Sequence, residues 1–132
     1  MKRLLLIILS CLVLSSCSVL STSSTGFQAK NPSGTRYIDV KIMQTLSKHS
    51  ALAHLKGQYG SYYGDIIKII TEKDMYYDDL IVQGYFVLVS TYSYTTNAGY
   101  QKTVPVYIKL SEYRDIVSAN RDIAKVVDYL NY

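Results

Sequence analysis

A small, mainly β domain closed by a C-terminal α-helix is the fold class that this 132-residue sequence predicts. Three observations predict it. From Arg36 onward, apolar and polar residues alternate at a period of two in several separate runs, the pattern of half-buried strands. Short breaks carrying Gly, Asn or Ser divide those runs. After Leu110 the apolar period changes to that of a helix and stays so to the end.

The elements follow in order. "RYIDVKIMQTL", residues 36–46, puts Ile38, Val40, Ile42 and Leu46 on one face and Tyr37, Asp39, Lys41 and Thr45 on the other. "SKHS" is a turn, and "ALAHL", residues 51–55, a short returning strand. "GDIIKIITE", residues 64–72, is a β-branched run after a Gly-rich loop. "DLIVQGYFVLVSTYSYTT", residues 79–96, reads as one long strand with a bulge or bend expected at Gly84. "NAG", residues 97–99, suits a hairpin loop with Gly99 in the left-handed conformation. "KTVPVYIKL" then turns Val104, Val106, Ile108 and Leu110 inward. Pro105 has no amide hydrogen, so this strand lies at an edge or begins nearby.

"SEYRDIVSANRDIAKVVDYLNY" repeats apolar residues at Tyr113, Ile116, Val117, Ile123, Ala124, Val127 and Leu130, one face of a single helix. Ser111 is the expected N-cap, with Glu112 in the first turn. Asn120 falls on the apolar stripe and is expected at the margin of a helix packed on the sheet. Setting a helix-pairing register is the alternative. About five short strands and this helix imply a small antiparallel sheet, rolled into an SH3-like or OB-like partial barrel, with an open sheet as the alternative. Residues 36–132 form this single domain, long enough to bury one core without disulfides.

The N-terminus is built differently. Lys2 and Arg3 precede the apolar run "LLLIILSCLVL", residues 4–14, and Ser15 and Ser16 lead to Cys17. This is the plan of a signal peptide, and the run is about half a bilayer-spanning helix. "LSSC", Leu14 to Cys17, resembles the lipobox of bacterial lipoproteins. The resemblance implies removal of residues 1–16 and a diacylglycerol thioether on Cys17. Cys11 would leave with the leader, so no disulfide or Cys-based metal site is expected. Ser18 follows Cys17 where an Asp would argue against passage to the outer membrane. The expected place is therefore the outer membrane, facing the periplasm. Residues 17–35, rich in Ser and Thr, read as a tether from the lipidated Cys. Without Lys2 and Arg3, 12 of the 14 basic residues remain against 10 acidic ones, a net charge of +2. That is too weak and dispersed for nucleic-acid binding.

Catalytic chemistry is not signalled. His49 and His54 lie five apart, on opposite faces of a strand, and make a poor metal pair. Ser61 in "GSYYG" lacks a nucleophile elbow, and "GQYG" lacks the helices that make such a loop a nucleic-acid clamp. Glu72, Asp74, Asp78 and Asp79 crowd one loop but without the spacing of a calcium loop, so solvated carboxylates are the expectation. No metal, cofactor or enzymatic activity is expected.

Tyrosine is the anomaly, with 14 residues and no Trp. Tyr85, Tyr107 and Tyr113 suit the filling of a sheet. Tyr62, Tyr63, Tyr76 and Tyr77 lie in loops beside Gly and Asp, where rigid amphipathic rings serve contact surfaces. The reading is an envelope lipoprotein acting as a non-enzymatic module that docks a partner protein through these four residues. A glycan or cell-wall fragment stacked on the same rings is the alternative, with a small inhibitor or immunity lipoprotein behind it.

Overall fold

The computed structural model describes residues 31–132; the expected leader, Cys17 and most of the expected tether lie outside them. Pro32 to Thr35 form a turn, with the Thr35 amide and hydroxyl both donating to the Pro32 carbonyl. The elements are β1 (Thr35–Ser47), β2 (Ser50–Leu55), β3 (Ile66–Ile70), β4 (Ile81–Thr95) and β5 (Gln101–Lys109). Two helices follow, α1 (Leu110–Ser118) and α2 (Ile123–Asn131). The mainly β class with a C-terminal helix is what the alternation predicted.

The strands close into a barrel in the order β1-β2-β3-β5-β4, with β4 returning to β1. Every pair is antiparallel except β3–β5. The sheet is therefore mixed and the barrel closed, where an antiparallel sheet or partial barrel was expected: β4 runs antiparallel to both β1 and β5, which leaves β5 parallel to β3. This order with its one parallel pair is that of an OB-type barrel rather than an SH3-type one.

Alternation now has two destinations. Ile38, Val40, Ile42, Ala51, Ala53, Ile67, Ile69, Val82, Phe86 and Tyr107 fill the barrel interior. Ile70, Val87, Val106 and Ile108 point outward and pack under Ile116 of α1 and Val126, Val127 and Leu130 of α2. The outer face of β3, β5 and β4 is thus roofed by the helix pair, and β3 is buried on both sides. That is why "IIKII" reads as a continuous run rather than an alternating one.

Four details differ from expectation. Gly84 keeps regular register opposite Ile38 at φ +147°, and the bulge in β4 falls instead between Leu88 and Ser90. Ser111 is not the N-cap: the helix begins at Leu110, and Lys109 in the N-cap position makes no side-chain capping bond. The single helix is two. Asn120, at φ 55°, ends α1 as its amide donates to the Val117 carbonyl and that of Arg121 to Ile116. This pair of bonds around a left-handed Asn is a Schellman stop. Asp122 then caps α2 by accepting from the Ala124 amide at 3.0 Å. Asn120 sits on the stripe because it breaks the helix.

Pro105 shapes the barrel wall. β5 pairs with β4 along its whole length but with β3 only from Val106 to Ile108. One residue earlier the register brings Pro105 to Ile67, and a proline has no N–H to extend the ladder. Before that point β5 is an edge on its β3 side, and the wall opens as a seam.

Candidate functional site

The four loop tyrosines do not form one surface. Tyr62 and Tyr63 precede β3 and Tyr76 and Tyr77 follow it, so the pairs lie at opposite ends of that strand. Tyr76 is the clear correction. It is 6% exposed and packed with the barrel interior, where the loop after β3 folds its ring inward. Burial, with Glu112 and Asp74 nearby, pushes its hydroxyl pKa up, and among the described residues that hydroxyl makes no hydrogen bond of normal geometry, the Thr71 side chain being the polar group beside it. Tyr63 and Tyr77 are exposed.

Tyr62 belongs to a different group. Its hydroxyl donates to Asp39 Oδ1 at 2.8 Å, and this bond to a carboxylate raises its pKa. Gln83 Nε2 donates to the other Asp39 oxygen at 3.1 Å, and Lys56 Nζ lies 3.4 Å from it and over the Tyr62 ring. Two residues along from Asp39 and Gln83, Tyr37 faces Tyr85 across the β1–β4 ladder, edge to face with centroids 5.5 Å apart. Both rings are more than half exposed, at 56% and 59%, so Tyr85 does not fill the sheet as expected but stands on its outer face. Tyr37, Asp39, Gln83 and Tyr85 thus make one outward wall on β1 and β4, to which the Asp39 carboxylate fastens the loop residue Tyr62. Period-two alternation already put Tyr37 and Asp39 on the outer face; the cross-strand register that adds Gln83 and Tyr85 was the missing signal.

The acidic loop is not a single site. Glu72 receives both guanidinium nitrogens of Arg121, which hold its carboxyl below the usual range. Asp74 pairs with Lys109, Asp79 with Lys41, and Asp78 accepts from the amide and hydroxyl of Thr45. Among the described residues no group of three or more His, Cys, Asp or Glu side chains is placed to hold a metal ion. Each histidine uses Nδ1 on a backbone carbonyl, His49 on Thr71 and His54 on Gly64.

Two buried charges went unsignalled. Glu112 is 4% exposed and accepts from the Thr71 hydroxyl and the Glu72 and Lys73 amides, the last two at 2.7 and 3.0 Å, so it ties the loop after β3 to α1. Lys68 is 1% exposed on the outer face of β3, under α2. Its Nζ donates to the Asn131 carbonyl at 2.8 Å and lies 3.6 Å from the Tyr92 ring centroid, and burial lowers its pKa to about 8.

Compared with protein-family models, curated proteins and solved structures, the chain matches none.

Proposed function

We propose that the chain is a lipid-anchored envelope lipoprotein working as a non-enzymatic docking module for a partner protein. The observation that carries the docking role is the exposed Tyr37–Tyr85 pair with Tyr62 fixed beside it by Asp39. Rings held by cross-strand packing and by a carboxylate lose few rotamers on binding, which is the property that makes aromatic side chains efficient anchors. The contact surface is thereby moved from Tyr62, Tyr63, Tyr76 and Tyr77 to the β1–β4 wall, with Tyr62 common to both. Anchoring at Cys17 and an outer-membrane location facing the periplasm rest on the lipobox-like "LSSC". The non-enzymatic reading is supported by the way the histidines and loop carboxylates are engaged by backbone, Arg, Lys and Thr groups.

The test is in-cell crosslinking of tagged protein with mass spectrometry, alongside Cys17→Ala and a Tyr37→Ala/Tyr85→Ala double variant. The expected result is a discrete envelope protein captured by the wild type and lost in both variants, with the double variant still folded by circular dichroism. Equal capture by the folded double variant would overturn the site.

A further inference from the structure

At the seam where the β3–β5 ladder stops, the barrel wall opens into a cleft of about 560 Å³, within the usual range for small-ligand sites. We propose that this cleft binds a short peptide with free ends, its carboxylate held by Arg36 and Lys102 and its ammonium by Asp65.

Three features of the cleft select that ligand. The first is backbone. Ile66 and Ile67 pair with β2, and Gln101 to Val104 with β4, but no ladder joins these two stretches to each other. Peptide groups facing a gap suit a ligand that carries amides of its own. The second is charge. Arg36, Lys102 and Asp65 all line the cleft, and none belongs to the ion pairs found among the described residues. Arg36 lies over the Tyr107 ring, with the hydroxyl of that ring 3.5 Å from its Nη1, too far for a strong bond. Two cations and one anion complement both ends of a zwitterion, whereas a plain anion meets only the cations. A phosphate or a fatty acid would leave Asp65 unpaired. The third is the lining: Leu55, Ile66 and Val104 supply aliphatic surface that fits small apolar side chains.

The experiment titrates the isotope-labelled full chain with trialanine, its C-terminal amide, its N-acetyl form and inorganic phosphate, following backbone amides by NMR. Trialanine is expected to give saturable shifts at Ile66 and Val104, with both blocked peptides at least tenfold weaker. Arg36→Ala/Lys102→Ala should erase the preference for a free carboxylate, and Asp65→Asn the preference for a free ammonium. Asp65 contributes a backbone carbonyl to the Leu55 amide, which the Asn variant keeps, so folding is preserved. No saturable shift with trialanine, phosphate binding as tightly as trialanine, or blocked peptides binding equally would each overturn the proposal. None of these residues lies on the Tyr37–Tyr85 wall, so failure here and failure of the docking surface are separate results.

Discussion

Replacing Lys68 by Met tests whether the fold carries a buried charge at a loss. Lys68 lies on a strand buried on both faces, and burial lowers its pKa from 10.5 to about 8. At 1.36 kcal/mol per pKa unit, that depression corresponds to about 3 kcal/mol disfavouring the charged form in the folded state. Against this stand two contacts that Met cannot make. The bond to the Asn131 carbonyl contributes about 1 kcal/mol, and the contact with the Tyr92 ring about 1 kcal/mol more. Met has similar length and no charge to desolvate, so Lys68→Met should be stabilised by roughly 1 kcal/mol at pH 7.

The sign with pH follows from linkage. Between about pH 8 and 10.5 the unfolded chain holds a proton on Lys68 that the folded chain has released, so wild-type stability rises with pH across that window. The penalty is present in full below pH 8 and is absent above 10.5. Tyr76, whose pKa is raised by burial, acts in the opposite direction at the alkaline end, so the difference between wild type and variant is the quantity to follow. Urea unfolding monitored by far-UV circular dichroism at several pH values from 7 to 10.5 measures it. The stabilisation of the variant should shrink steadily above pH 8 and change sign before 10.5. A difference that stays flat with pH, or a variant destabilised by about 2 kcal/mol or more at pH 7, would refute the account.

Other perturbations test the remaining elements by urea unfolding. Glu112→Ala leaves the Glu72 and Lys73 amides without their acceptor and should cost roughly 2–4 kcal/mol, while loosening the loop after β3 in hydrogen exchange. Tyr76→Phe removes an unpartnered buried hydroxyl and should be neutral or stabilising by up to about 1 kcal/mol; a loss of stability would mean that the hydroxyl has a partner. Asn120→Gly should be tolerated within about 0.5 kcal/mol, whereas Asn120→Val forces a β-branched residue to φ 55° and should cost about 1–2 kcal/mol. Asp122→Ala removes the α2 cap for about 1 kcal/mol.

Strand positions were legible because each strand has its own local signature, and all five fall within two residues of the alternating runs. The β4–β5 hairpin is closed by the Gly99 amide donating to Thr96, with Gly99 at φ +87°, as the Asn-Ala-Gly loop implied. The site was less legible, because it depends on partners far away in sequence. Nothing in "MYYDD" distinguishes Tyr76 from Tyr77, yet one ring enters the barrel and the other stays outside. Tyr37 meets Tyr85 only through the register of two strands separated by β2 and β3. Asn120 and Asp122 did carry a local signal, a helix stop followed by a start, but the continuing apolar period hid it. Lys68 interrupts a β-branched run as visibly as any residue here, and only the helix pair, packing from outside, makes it buried.

The same packing decides which surfaces are left for binding. Barrels of the OB type commonly bind oligonucleotides or oligosaccharides on the face of strands 2 and 3. In this chain the outer face of β3 lies under α2, with Lys68 bonded to the end of that helix. A shared fold therefore does not carry the usual site with it. What stays open is set by two local features. Among the described residues no helix covers the first half of β4 where it pairs with β1, so the outward Tyr37, Gln83 and Tyr85 are exposed, with Asp39 bonded to Tyr62 among them. The seam exists because Pro105 cannot donate the next hydrogen bond to β3. One proline thus does for the barrel what an open end does for a sheet: it leaves backbone groups available, beside Arg36, Asp65 and Lys102, at a place the helices do not cover.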